Sequence, residues 1–136
     1  TALKDGAQAT ATIQQQQQLS KTLDFRLAEY YGYWAIASMR QGQEQPEATL
    51  QAYQQALAIA QSADNPWFQQ STWLEIGWWY VNQKQMPQAV DSYQKALAQA
   101  KLIDEVAVAD VQNRFGNAYF RSEQYPQALE AYQRSL

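Results

Sequence analysis

The chain has 136 residues, 46% of them hydrophobic and 13% aromatic, which is room for one domain with a real core and far from a disordered composition. It contains neither Cys nor His, so disulfides, the usual zinc sites and His-based acid–base catalysis are excluded by inventory. Ten Lys and Arg against thirteen Asp and Glu give a net charge of -3, the wrong sign for a general phosphate-binding surface, and no segment nears the roughly 20 apolar residues of a membrane span.

In chain order, the first predicted element is a helix over about residues 7–22, carrying the Gln14–Gln18 run. Ile13 stands 40 residues before Tyr53, so this segment reads as the second helix of a partial unit. Residues 1–6 fit either helix or a disordered terminus. Three full units follow, over 25–64, 65–104 and 105–136. Tyr53, Tyr93 and Tyr132 are 40 and 39 apart, and Ala37, Gly77 and Gly116 keep the same step, as do Asp24, Asp64 and Asp104 at 40. A shared period at several positions marks an internal repeat.

Within each unit the apolar residues recur every three or four positions, the helical period. Trp73, Ile76, Gly77 and Tyr80 form one stripe; Ala89, Tyr93, Ala96 and Leu97 form the next. The polar run Asn82 to Gln85 separates them. Pro46, Pro87 and Pro126 suit the first turn of a second helix, where a missing N–H is harmless. Asp64 or Asn65, and Asp104, can cap the following first helix. Glycine in a helix interior costs about 1 kcal/mol relative to alanine, so Gly77 and Gly116 imply close approach of a partner helix.

The pattern Trp73-x-x-Ile76-Gly77-x-x-Tyr80 with Ala89, Tyr93 and Ala96 resembles the tetratricopeptide repeat, and Phe115-Gly116-Asn117-Ala118-Tyr119 follows it closely. The period of 39–40 is similar to the long-helix variety found in kinesin light chains. The resemblance covers about Phe25 to Leu136. It implies an all-α fold, a right-handed superhelix of stacked antiparallel hairpins with about seven helices in all. It also implies a concave groove lined by first helices, whose off-core positions bind a segment of another protein.

Transferred onto this chain, those groove positions are Tyr31, Trp34 and Ser38 in the first unit. The second unit supplies Ser71, Leu74, Trp78 and Asn82, and the third Asp110, Asn113, Asn117 and Arg121. Trp34, Leu74 and Trp78 would form an apolar wall, Asn113 and Asn117 would grip a peptide backbone, and Arg121 would meet an acidic group. Spacing alone does not separate a groove role from a core role for Trp34 and Trp78, nor binding from simple solvation for the two asparagines. Trp67 and Trp79 are expected between repeats. Family members that clamp a terminal carboxylate use Lys and Asn where Trp34 and Ser38 stand here, so an apolar or amphipathic segment is the expected ligand.

The five glycines stand singly, so no phosphate loop is present, and the serines lack a His partner. No enzyme activity, cofactor, metal or nucleic-acid partner is expected, nor insertion in a membrane. The expected partner is another protein or peptide, with a homo-oligomeric repeat array as the competing reading, because no polar helix covers the apolar face of the last unit. Beginning at Thr1 and stopping at Leu136 inside an apolar-periodic segment, the chain reads as part of a longer protein. A cytoplasmic location is the expectation that goes with these.

Overall fold

A computed structural model describes residues 2–136, and every element among them is helical. The helices are α1 (Ala2–Gly42), α2 (Pro46–Ser62), α3 (Pro66–Asn82), α4 (Met86–Ala100), α5 (Glu105–Arg121) and α6 (Tyr125–Arg134). Each packs against its sequence neighbours, and α3 also meets α5, so three antiparallel hairpins stack in order. This is a helical-repeat solenoid.

The starts and stops follow local chemistry. The Asn65 side chain accepts from the Phe68 N–H at 3.1 Å and Asp104 from that of Ala107 at 2.7 Å, filling an orphan donor at the head of α3 and α5. The second helices begin instead with a proline in the first turn and have no side-chain cap. Four helices end in the same way, on a residue with positive φ: Glu44, Asp64, Lys84 and Glu123, at 50–60°. The next amide in each case reaches back five residues, as in Gln85 N to Tyr80 O at 2.9 Å and Gln124 N to Tyr119 O at 2.8 Å. These bonds satisfy terminal carbonyls and offset the roughly 1–2 kcal/mol that a left-handed conformation costs an L residue.

Among the described residues six helices form, where the repeat pattern predicts about seven. Residues 7–22 run on into α1 without a break, and Asp24 lies inside that helix. Neither a proline nor a turn-forming cluster interrupts the segment, so the i→i−4 ladder simply continues. Side chains 4–25 are exposed throughout. The expectation for Thr1 lies outside the described residues. Asp24, Asp64 and Asp104 are therefore not equivalent, being respectively mid-helix, a left-handed turn residue and a cap.

The core consists of small residues around aromatic rings. Ala37, Ala52, Tyr53, Leu57 and Ile76 bury one cluster at the first junction. Tyr93, Val111, Phe115 and several alanines bury the second. Trp73 and Tyr80 lean on both, so the interior is continuous. Between the first two units, Tyr30 stacks on Phe68 with centroids 4.4 Å apart, and its hydroxyl lies 3.0 Å from that of Thr72. Trp79 ties the same units together by donating from Nε1 to Pro46 O at 2.8 Å. Trp67, expected between repeats, is instead 56% exposed. It occupies the first turn of α3, and its counterpart Val106 in α5 points outward in the same way.

Candidate functional site

First helices can present an open wall because second-helix tyrosines pack against small residues behind them. A Cβ placed on Gly77 would lie 3.0–3.2 Å from three atoms of the Tyr93 ring, and one on Gly116 would lie 2.5 Å from Tyr132. The Tyr132 hydroxyl emerges on the first-helix side, donating to Asn117 Oδ1 at 2.6 Å. Asn117 so keeps its amide donors for something else.

On α3 the wall is one helical stripe, Ser71, Glu75, Trp78 and Asn82, spaced by four, three and four residues. Ser71, Glu75 and Trp78 are half-buried and Asn82 is exposed. The Arg121 guanidinium sits 5.2 Å from the centre of the Trp78 ring, a cation–π pair that joins α5 to α3. Asp110, Asn113, Asn117 and Arg121 are all exposed on α5. On α1, Ser38 is exposed and Tyr31 is 59% exposed, its ring edge-on to Phe68.

Two of the expected positions sit elsewhere. Leu74 is only 5% exposed and packs with Val81, Val111 and Phe115, so it supports the wall from behind. Trp34 is half-buried, edge-on to Tyr53 at 5.6 Å and tilted over Tyr30 at 6.0 Å, which gives it a packing role. One residue is one hundred degrees of helix, and α3 is apolar on several sides because it meets three neighbours. Its pattern alone does not tell the next-repeat face from the open one.

Glu75 and Arg114 were missed. They occupy one repeat position, 39 residues apart, with opposite charge, and that coincidence was the available signal. Burial raises the Glu75 carboxyl above its ordinary value of 4.5, and the positive charge of Arg114 partly offsets this. The neighbouring phenols respond too: burial pushes Tyr53 up to about 12, with the Glu75 charge adding to it, and raises Tyr93 further. An acid whose folded pKa exceeds its unfolded one holds protons more tightly when folded, so its share of stability falls as pH rises above about 4.5. Glu75→Gln should flatten that fall and leave the protein more stable than wild type at pH 7. Urea midpoints of both proteins at pH 4 and pH 7 measure it; equal differences at both values would contradict the assignment.

The opposite surface carries clefts as well. One of about 450 Å³ is lined by Leu57, Trp73, Ile76, Tyr80 and the Asp91–Lys95 ion pair at 3.1 Å, with Lys95 over the Trp73 ring at 4.6 Å. A smaller one of about 190 Å³ repeats it at the next junction, with Leu97, Phe115, Tyr119 and the Glu130–Arg134 pair. Their ion pairs are exposed and weak. No helix among the described residues is long and apolar enough to cross a membrane.

The tetratricopeptide repeat family model matches residues 68–136, just over half the chain. The chain belongs to the tetratricopeptide repeat family. Among solved structures, the tetratricopeptide repeat domain of Arabidopsis FLU is similar to it with a TM-score of 0.67. The match is 17% identical and covers 81% of this chain and 93% of that one, a likeness of fold alone. No curated protein matches in sequence. Tetratricopeptide repeat domains are in general scaffolds for protein–protein interaction, and membership of the family supports that general role for this chain.

Proposed function

We propose that this tetratricopeptide repeat chain holds an apolar or amphipathic segment of another protein against the wall formed by α1, α3 and α5, and catalyses nothing. The observation that carries this is the Trp78–Arg121 pair, a half-buried indole beside an exposed guanidinium on the open side of two adjacent repeats. An aromatic surface of this kind is what recognition sites commonly use as an anchor, at about 2 kcal/mol or more per residue. Around it, Ser71, Asn82, Asn113 and Asn117 offer donors and acceptors to a peptide backbone, while Arg114 and Arg121 favour an acidic flank. Glu75 discourages a second carboxylate on the α3 side. With net charge -3, nucleic acid is disfavoured as the ligand.

Panning a random 15-residue peptide display library against the immobilised chain tests the reading. Enriched peptides should carry apolar anchors with nearby acidic residues. Trp78→Ala combined with Arg121→Ala should weaken them at least tenfold, and Arg121→Ala alone, at an exposed site, should weaken them with unchanged circular dichroism. Equal binding by all three proteins would sink the proposal.

A further inference from the structure

One place on the wall stripe is filled differently in the three units: Ala35 on α1, Glu75 on α3 and Arg114 on α5, 40 and 39 residues apart. Ala35 and Arg114 are exposed, whereas Glu75 is half-buried. Glu75 has no ion-pair partner. The ion pairs among the described residues are Asp91–Lys95 and Glu130–Arg134, both within second helices. The Arg114 charge reaches Glu75 from α5 without pairing with it. From α1 no cation reaches it. The basic residues flanking the first-unit wall, Arg26 and Arg40, donate instead to Ser62 O at 3.4 Å and to Gln45 Oε1 at 2.8 Å.

Phenols rather than cations surround the carboxyl group. Burial raises Tyr30 on α1, Tyr53 on α2 and Tyr93 on α4, and the Glu75 charge adds to each rise. The Tyr30 hydroxyl is already engaged, 3.0 Å from that of Thr72. A carboxylate withdrawn from water costs free energy until a donor of opposite charge meets it. Nothing inside the repeat stack supplies that donor, and the stripe carrying Glu75 faces the open wall.

We propose that Glu75 is the seat for a Lys or Arg side chain of the bound segment, next to the apolar anchor on Trp78 and apart from the acidic residue that Arg121 meets. This rests on the wall of α1, α3 and α5 being the recognition surface, and adds the sign and order of the charges it reads. Glu75 and Trp78 are three residues apart on one face of α3, about 4.5 Å of helix rise, while an extended ligand advances about 3.3 Å per residue. The basic residue therefore falls within about three residues of the apolar anchor. With the base over α3 and the acid over α5, the segment binds in one direction, because reversal sets like charges together.

Two selections from the 15-residue display library test this, one on the wild-type chain and one on Glu75→Gln. Peptides from the wild type should be enriched in Lys or Arg near the apolar anchor, and those from Glu75→Gln should not. One wild-type peptide is then made with its basic residue intact and with norleucine in its place, and each is titrated against both proteins by calorimetry. Norleucine and Glu75→Gln should each weaken binding about tenfold, and the two together no more than either alone. The change on the peptide leaves the protein untouched, so a folding defect does not imitate it. Additive losses, enriched peptides without a basic residue, or equal binding by wild type and Glu75→Gln would overturn the seat at Glu75. The wall reading survives those results if Trp78→Ala combined with Arg121→Ala still weakens the peptides. Peptides indifferent to every one of these substitutions, or no enriched peptide at all, would overturn both.

Discussion

Tyr93→Ala should cost about 3–5 kcal/mol of unfolding free energy, the range for removing a buried aromatic ring without collapse of the space it leaves. Tyr93 is 1% exposed and among the largest fully buried side chains of the molecule. Its ring closes on Gly77 on one side and lies 5.1 Å from Phe115 on another, so one side chain joins the second hairpin internally and to the third. The alanines around it, Ala89, Ala96 and Ala118, have no freedom to fill the void because each is already fully buried. Denaturant unfolding followed by circular dichroism measures the loss. A change under 1 kcal/mol would mean that the hairpins do not share the interior described above.

Gly77→Leu should be nearly as damaging, by about 3 kcal/mol, for the opposite reason. A single Cβ at Gly77 already falls 3.0 Å from Tyr93 Cζ, and the buried ring has nowhere to retreat. Overpacking of this kind commonly costs about 1–3 kcal/mol, and leucine adds three carbons beyond the first. The gain of up to about 1 kcal/mol from replacing a helical glycine does not compensate. Gly32→Leu supplies the control, because no atom lies within 4 Å of a Cβ built there. Comparable losses at both positions would show that the helix-pair contact is not what glycine serves at Gly77.

Much of this was legible in the sequence. The recurring Tyr53, Tyr93 and Tyr132 opposite Ala37, Gly77 and Gly116 gave the hairpins and their close approach, because a helical glycine is tolerated mainly where a neighbour needs the room. Prolines and capping residues placed the helix starts for local reasons that carry over directly. The N-terminal helix departs from the expected partial unit because the 40-residue step at Asp24 marks repeat register and not a helix boundary. Capping depends on a residue leaving helical geometry, and nothing around Asp24 forces it to. Register proposes Ser71, Trp78 and Asn82 for the wall, and on α3 they share one helical stripe. Register alone does not separate Leu74, which packs with Val111 and Phe115, from its neighbour Glu75, since an all-round apolar helix hides which face meets the next unit. The influence of the Arg114 charge on Glu75 depends on two helices at once, which single-helix patterns do not report.

The most direct measurement of where this protein recognises its ligand uses the tryptophan indole N–H signals of a ¹⁵N-labelled sample titrated with a panned peptide. Trp78 lies on the first-helix wall, while Trp73 lines the cleft on the opposite surface. The Trp78 signal should shift in step with occupancy, together with the amides of Asn117 and Arg121, and the Trp73 signal should stay in place. Movement of Trp73 and of residues around Lys95, with Trp78 unchanged, would contradict the account and move recognition to the outer helices.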